Sequence, residues 1–160
     1  MNAPAHWIEV TVPTVDFTLN QQALTAFAGE SILNAAQRHG VDIPHLCHQE
    51  GLRPDGNCRA CVVEIDGERT LAPSCCRQVT AGMTVQSNSA RAVKSQQMVV
   101  EMLLSDMPDV GYQWGEQDES QQHGELSAWA ARLNVAVRPA LKAMRREQPK
   151  ADVSHPAMAV

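Results

Sequence analysis

Five cysteines are the residues of this 160-residue sequence best suited to chemistry. Four of them follow the pattern Cys47-x10-Cys58-x2-Cys61-x13-Cys75, and Cys76 directly follows the last one. A pair of cysteines separated by two residues can direct both sulfurs at one metal, because a short turn points both side chains inward. The odd number of cysteines counts against a disulfide framework. The pattern therefore favours a metal or cluster site.

Three occupants of such a site have different requirements. A [2Fe–2S] cluster needs four thiolates, two on each iron, and the glycine-containing loop between Cys47 and Cys58 offers free backbone N–H groups to offset its negative charge. A structural zinc site also takes four cysteines, usually as two close pairs, and only one close pair is present. A catalytic thiol has candidate bases in His45 and His48 but leaves the other cysteines unexplained. A histidine-ligated cluster is disfavoured, because no histidine closely follows Cys61. The spacing favours the cluster and leaves zinc as the alternative.

Composition and charge exclude several other classes of protein. The net charge is -5 without a basic block, which argues against a general nucleic-acid binder. No apolar run approaches the roughly 18 residues of a membrane span. The start of the sequence, MNAPAHWIEV, has neither a basic cluster nor an apolar run, so we expect no secretory signal and a cytoplasmic protein with reduced thiols. The sequence contains no constellation of catalytic acid, base or nucleophile and no glycine-rich phosphate loop, so we predict no catalytic residue.

Hydrophobic periodicity and turn residues predict an α+β domain. Asn20-Gln21 and Asp66-Gly67 are turn dipeptides between alternating segments, which is typical of β-hairpins. Gly40 follows an apolar helical stripe at the position where helices commonly end. A further alternating segment, 7–12, precedes the domain. The predicted strands are 15–19, 22–26, 61–65, 70–72 and 82–87, and the predicted helices are 30–39, 92–104, 125–133 and 139–147.

Composition also predicts the organisation of the chain. Residues 1–14 form an N-terminal extension, and residues 15–104 form the cysteine-containing domain with its following helix. Residues 105–160 are polar at first and then carry two short helices. We interpret them as a linker that leads toward a missing or separate partner domain.

Four segments of the sequence resemble those of a known family: GESILNAAQRHGVDIPHLC, GNCRACVVEIDGE, APSC and AGMTV. They resemble the β-grasp [2Fe–2S] ferredoxin-like domain that begins the large iron–sulfur subunit of NADH dehydrogenase, the diaphorase small subunit of NAD-linked hydrogenase and the alpha subunit of NAD-dependent molybdenum formate dehydrogenase. The resemblance covers about residues 15–104. It implies a β-grasp fold with one [2Fe–2S] cluster.

The resemblance also implies which cysteines bind the cluster. In that family the fourth ligand is followed by a valine and a Gly-Met pair, here Val79 and Gly82-Met83, which favours Cys75 over Cys76. Neighbouring residues of a strand also face opposite sides, so one of the two does not readily substitute for the other. The implied ligands are Cys47, Cys58, Cys61 and Cys75.

The segment 152–160 resembles the stretch that precedes two [4Fe–4S] motifs in the formate dehydrogenase alpha subunit. This resemblance implies a one-electron carrier in a formate dehydrogenase-like, NAD-linked molybdenum oxidoreductase. Its partners would be other iron–sulfur, molybdopterin or flavin–NADH domains or subunits. The alternatives are a zinc-stapled interaction module, a free-standing ferredoxin and a subunit of NADH dehydrogenase type.

Overall fold

The computed structural model describes residues 12–107 and 124–144. Its five strands form one sheet in the order β2-β1-β5-β3-β4, in which β1 and β5 run parallel and the other neighbours run antiparallel. The strands are β1 Thr14–Leu19, β2 Gln22–Phe27, β3 Val62–Ile65, β4 Ala72–Pro73 and β5 Thr84–Gln86. The helices are α1 Ile32–Arg38, α2 Ala90–Asp106, α3 Glu125–Arg132 and α4 Pro139–Ala143. This small mixed sheet with helices confirms the predicted α+β, β-grasp class.

The hairpin of β1 and β2 turns at Asn20 and Gln21, as predicted. Both residues have positive φ angles, 50° and 69°, which a two-residue type I′ turn requires. The Asn20 amide also holds the end of β5, because its Nδ2 donates to Ser87 Oγ at 2.9 Å and its Oδ1 accepts from the Ser87 N–H at 2.8 Å. The tip of the first hairpin is therefore attached to the last strand of the sheet.

Helix α1 begins later than predicted because Ser31 is its N-cap. Ser31 has an extended ψ of 154°, and its side chain accepts a hydrogen bond from the Asn34 N–H. Gly40, with φ 73°, follows the end of the helix as predicted. The buried face of the helix consists of Ile32, Leu33, Ala35 and Ala36.

The core between α1 and the sheet is mainly aliphatic. Its fully buried large side chains come from every part of the domain, so the sheet, α1 and the segment before Cys47 share one core. These side chains are Leu19, Ile32, Leu33, Ile43, Val63 and Val85.

Several bounds differ from the sequence prediction. Strand β4 lies later than residues 70–72 and is short, and β5 is shorter than residues 82–87. Helix α2 is longer at both ends than residues 92–104, and the hydroxyl of Ser89 accepts from the Ala92 N–H in its first turn. The predicted segments 7–11 and 145–147 lie outside the described residues.

The described residues divide into two compact units between Val99 and Val100. In the second unit, the largely buried Glu101 carboxylate accepts from the backbone N–H of Arg138 at 3.0 Å and from its Nε at 2.8 Å. These hydrogen bonds lower the pKa of Glu101 below its usual value. The guanidinium of Arg132 stacks 4.2 Å from the ring centroid of Trp129.

Across both units, none of the described helices has the length and apolar character needed to cross a bilayer.

One buried amide connects α2 to the sheet. Gln96 is 2% exposed, and its Nε2 donates to the carbonyls of Val62 at 2.9 Å and Ser87 at 3.1 Å.

We expect Gln96→Leu to lower the free energy of unfolding by about 1–3 kcal/mol, because two buried carbonyls lose their donor. Urea unfolding followed by far-UV circular dichroism measures the change. Lys94→Ala, on the exposed side of the same helix, is the control and should stay within about 0.5 kcal/mol of wild type. Equal midpoints for Gln96→Leu and wild type would contradict the role of this amide.

Candidate metal centre

Two of the predicted ligands meet at the ends of the long loop. Cys47 and Cys58 are both half-buried, and the backbone N–H of Cys58 donates to Cys47 Sγ at 3.4 Å. A backbone donor at a sulfur stabilises negative charge on that sulfur. The loop that separates the two residues contains Gly51 and Gly56, with φ angles of 81° and 66°, conformations that glycine adopts most readily.

The turn between Cys58 and Cys61 is tight and strained. Arg59 has a φ of 59°, a left-handed conformation that costs a residue with a side chain about 1–2 kcal/mol. The neighbouring Ala60 is fully buried, so no larger side chain has room there without rearrangement. This strained turn places Cys58 at the half-exposed end of the site and Cys61 in the core.

The other two predicted ligands form a buried pair. Cys61 and Cys75 are each 1% exposed and belong to the same buried cluster of side chains. Burial raises the pKa of the Cys75 thiol well above its usual value, and the nearby Cys61 and Cys76 thiols raise it further. A group that binds both sulfurs as thiolates would have to supply compensating positive charge.

Cys76 lies closer to this pair than the sequence indicated. The residues after β4 form a turn rather than a strand, in which the N–H groups of Cys76 and Arg77 both donate to the Pro73 carbonyl at 3.1 and 3.0 Å. The Cys76 side chain is exposed, yet its Sγ lies 3.5 Å from Cys75 Sγ. Neighbouring side chains face opposite sides only in an extended strand, so this turn does not separate the two cysteines in that way.

Two buried polar side chains beside these cysteines have no hydrogen-bond partner among the described residues. Ser74 is fully buried and its Oγ is unpartnered, although its backbone is fixed by bonds from its N–H to the Cys61 carbonyl and from the Leu33 N–H to its own carbonyl. Both ring nitrogens of His48 are also buried without a partner. Burial, together with the charge of His45, lowers the pKa of His48, and the Glu50 charge opposes this shift. Sequence reasoning missed Ser74, although its position directly before Cys75 could have indicated it.

His45 has a structural role in the same segment. Its Nδ1 lies 2.8 Å from the Ile43 carbonyl and its Nε2 lies 3.3 Å from Nε2 of Gln37 at the end of α1. Its ring packs edge-on against that of His48, with centroids 6.1 Å apart. These contacts hold the approach to Cys47 against α1.

The four predicted ligands thus lie as two pairs, Cys47 with Cys58 at the half-buried end and Cys61 with Cys75 in the core. Within residues 12–107 and 124–144, no three cysteine, histidine or carboxylate side chains converge on a site for one metal ion.

Comparison with protein families identifies the segment that carries these cysteines. The family described as 2Fe-2S iron–sulfur cluster binding domain matches residues 13–90. This match includes all five cysteines.

Relatives of known name each match more than half of this chain. An NADH-quinone oxidoreductase subunit of Rhizobium meliloti (strain 1021) is 36% identical over 94 residues, which are 59% of this chain and 11% of the relative. The mitochondrial NADH-ubiquinone oxidoreductase 78 kDa subunit of Candida albicans is 34% identical over 141 residues, or 80% of this chain and 20% of the relative. NADP-reducing hydrogenase subunit HndD of Solidesulfovibrio fructosivorans is 42% identical over 96 residues, or 57% of this chain and 16% of the relative. The chain therefore spans 11% to 20% of the length of these curated relatives.

A solved structure agrees with these relatives. A chain of an NAD+-reducing [NiFe]-hydrogenase in the H2-reduced state superposes with a TM-score of 0.69 and 27% sequence identity, covering 89% of this chain and 57% of that one. Residues 13–90 of this chain therefore belong to the family of 2Fe-2S iron–sulfur cluster binding domains, related to subunits of NADH-quinone oxidoreductase and of NADP-reducing and NAD+-reducing hydrogenases.

Proposed function

We propose that this domain carries single electrons within a multi-subunit oxidoreductase and that Cys47, Cys58, Cys61 and Cys75 bind its [2Fe–2S] cluster. The observation that supports this proposal is the placement of the four cysteines as one half-buried pair, in which the Cys58 N–H donates to Cys47 Sγ, and one pair in the core, Cys61 and Cys75. A [2Fe–2S] cluster takes two thiolates on each iron, whereas a structural zinc ion takes all four on one centre. The donor set thus fits the cofactor of the family, and the zinc alternative is disfavoured.

The two pairs give the site one buried end and one end nearer to solvent. When bound, the cluster accepts and releases one electron at a time. Cys61 and Cys75 hold their end in the core, where water is excluded, while Cys47 and Cys58 are half-exposed. An electron-transfer partner would approach the half-exposed end, because the tunnelling distance through protein is shorter there.

The chain also has groups suited to stabilising the reduced state. The N–H of Cys58 donates to Cys47 Sγ, and the buried Ser74 hydroxyl has no acceptor among the described residues. A sulfur of the bound cluster would give this hydroxyl an acceptor and remove the cost of an unpaired buried group. Hydrogen bonds to sulfur raise the reduction potential, since they favour the more negative form.

The proposed setting is a formate dehydrogenase-like, NAD-linked molybdenum enzyme of the cytoplasm. The relatives named above support the coarser assignment to complexes of NADH dehydrogenase and hydrogenase type. The resemblance of segment 152–160, which lies outside the described residues, supports the finer one. Its partners would then be other iron–sulfur domains and a molybdopterin or flavin–NADH domain. Anaerobic co-purification with such subunits and formate-dependent reduction of the cluster test this setting. A complex whose cluster is reduced by NADH or hydrogen but not by formate would contradict it.

Loss of the Cys58 or the Cys61 thiolate should abolish cluster binding. We expect Cys58→Ala and Cys61→Ala to lose the visible absorption and the rhombic spin-one-half EPR signal of the dithionite-reduced protein, because each leaves one iron with a single thiolate. Iron and acid-labile sulfide analysis of anaerobically purified protein quantifies the loss. Cys76→Ala is the matched control and should keep both signals. A colourless wild-type protein that contains zinc would refute the electron-carrier function itself.

Removing the Ser74 hydroxyl should change the reduction potential without removing the cluster. We expect Ser74→Ala to shift the potential to more negative values by on the order of tens of millivolts, because the reduced cluster loses a hydrogen-bond donor. A redox titration monitored by EPR measures the shift. Ser87→Ala is the control, since this serine is also buried but its hydroxyl bonds to Asn20. An unchanged potential in Ser74→Ala with an intact spectrum would show that this hydroxyl does not contact the cluster.

A further inference from the structure

The fifth cysteine occupies a position from which it can reach the site. The turn after β4 places Cys76 Sγ 3.5 Å from Cys75 Sγ, a distance at which the two sulfurs are in van der Waals contact. The N–H groups of Cys76 and Arg77 share the Pro73 carbonyl, so the backbone turns at this point rather than extending. Both sulfurs therefore lie on the same side of the turn.

The same sulfur also contacts the loop that leads to Cys58. Cys76 Sγ lies 3.9 Å from the Pro54 carbonyl oxygen. A Cβ atom built on Gly56 would come within 2.9 Å of it, closer than a Cβ atom is normally found to any neighbour. The Cys76 thiol is thus seated between the Cys75 turn and the Gly56 segment of the loop, rather than projecting freely into solvent.

We propose that Cys76 is a reserve ligand that can replace Cys75 on the same iron. This proposal rests on the ligand assignment made above. In the exchange, the iron–sulfur bond of Cys75 would break and one to Cys76 would form. Cys75 would take up a proton and Cys76 would release one, so the charge of the site would be unchanged and no electron would be transferred. A thiolate is replaced by a thiolate, so the cluster type is retained.

A cluster bound through Cys76 should differ in solvent exposure from one bound through Cys75, because the two cysteines lie in different environments. Cys75 is 1% exposed, whereas Cys76 is exposed. A cluster held through Cys76 would be more accessible to water and oxygen at the end that Cys75 otherwise buries. It should therefore bleach faster in air than the wild-type cluster, and its EPR g-values should shift while the signal stays rhombic.

The test compares single and double alanine variants purified without oxygen. We expect Cys75→Ala to retain iron and sulfide in the ratio of a [2Fe–2S] cluster, with shifted g-values and faster bleaching, and Cys75→Ala/Cys76→Ala to lose them. Alanine is used because a serine oxygen could itself bind iron. Cys47→Ala is the matched control and should lose the cluster, since the contacts of Cys76 Sγ are with Cys75 Sγ and the Pro54 carbonyl and not with Cys47.

Alkylation by iodoacetamide supplies an independent readout on the folded holoprotein. In wild type the exposed Cys76 should be modified, and in Cys75→Ala it should be protected because it binds iron, with both detected by mass spectrometry. The reserve role would be overturned if Cys75→Ala lost the cluster. It would also be overturned if Cys75→Ala kept the cluster but Cys76 were modified at the wild-type rate. A wild-type protein without a [2Fe–2S] signal would refute the proposed function instead, so the two failures are distinguishable.

Discussion

The backbone of Ser74 is the junction on which the arrangement of the cysteines depends. Its N–H donates to the Cys61 carbonyl at 3.1 Å, and its carbonyl accepts from the Leu33 N–H at 3.0 Å. One residue thereby fixes the start of β3, the turn that carries Cys75 and the first turn of α1. A second bond, from the Ile32 N–H to the Arg77 carbonyl at 2.8 Å, gives another N-terminal amide of the helix a partner in the same turn. The helix and the site are therefore stabilised by the same contacts.

Features that depend on a few neighbouring residues were predictable from the sequence. The turn at Asn20 and Gln21, the buried face of α1 and its end before Gly40 follow from local propensity and periodicity, and each is present in the structure. The [2Fe–2S] cofactor was also predictable, because a cysteine pattern is a property of spacing, and the family of residues 13–90 confirms it. The bounds of α1 were less predictable, since an N-cap serine and a helical serine look alike in sequence.

Features that depend on distant parts of the chain were not predictable in the same way. The position of β5 beside β1 is set by the shared core and by the bonds of Asn20 to Ser87, which no local pattern reveals. The contact of Cys76 with Cys75 arises because the chain turns after Pro73, whereas the sequence alone indicated an extended strand end. The unpaired hydroxyl of Ser74 is visible only when its surroundings are known. Both of these last features lie at the cysteines themselves, where the chain departs from regular secondary structure.

The parallel pairing of β1 with β5 has a consequence for the time at which the site forms during protein synthesis. Thr18 and Leu19 pair with Thr84 and Val85, so β1 can form this pairing only after β5 has been synthesised. At about 5–20 residues per second, the ribosome takes several seconds to make the intervening chain. All five cysteines are synthesised within that interval, before the sheet that supports them is complete. The thiols are therefore synthesised as separate reactive groups, and the complete sheet that brings them together can form only after the residues of β5 have been added.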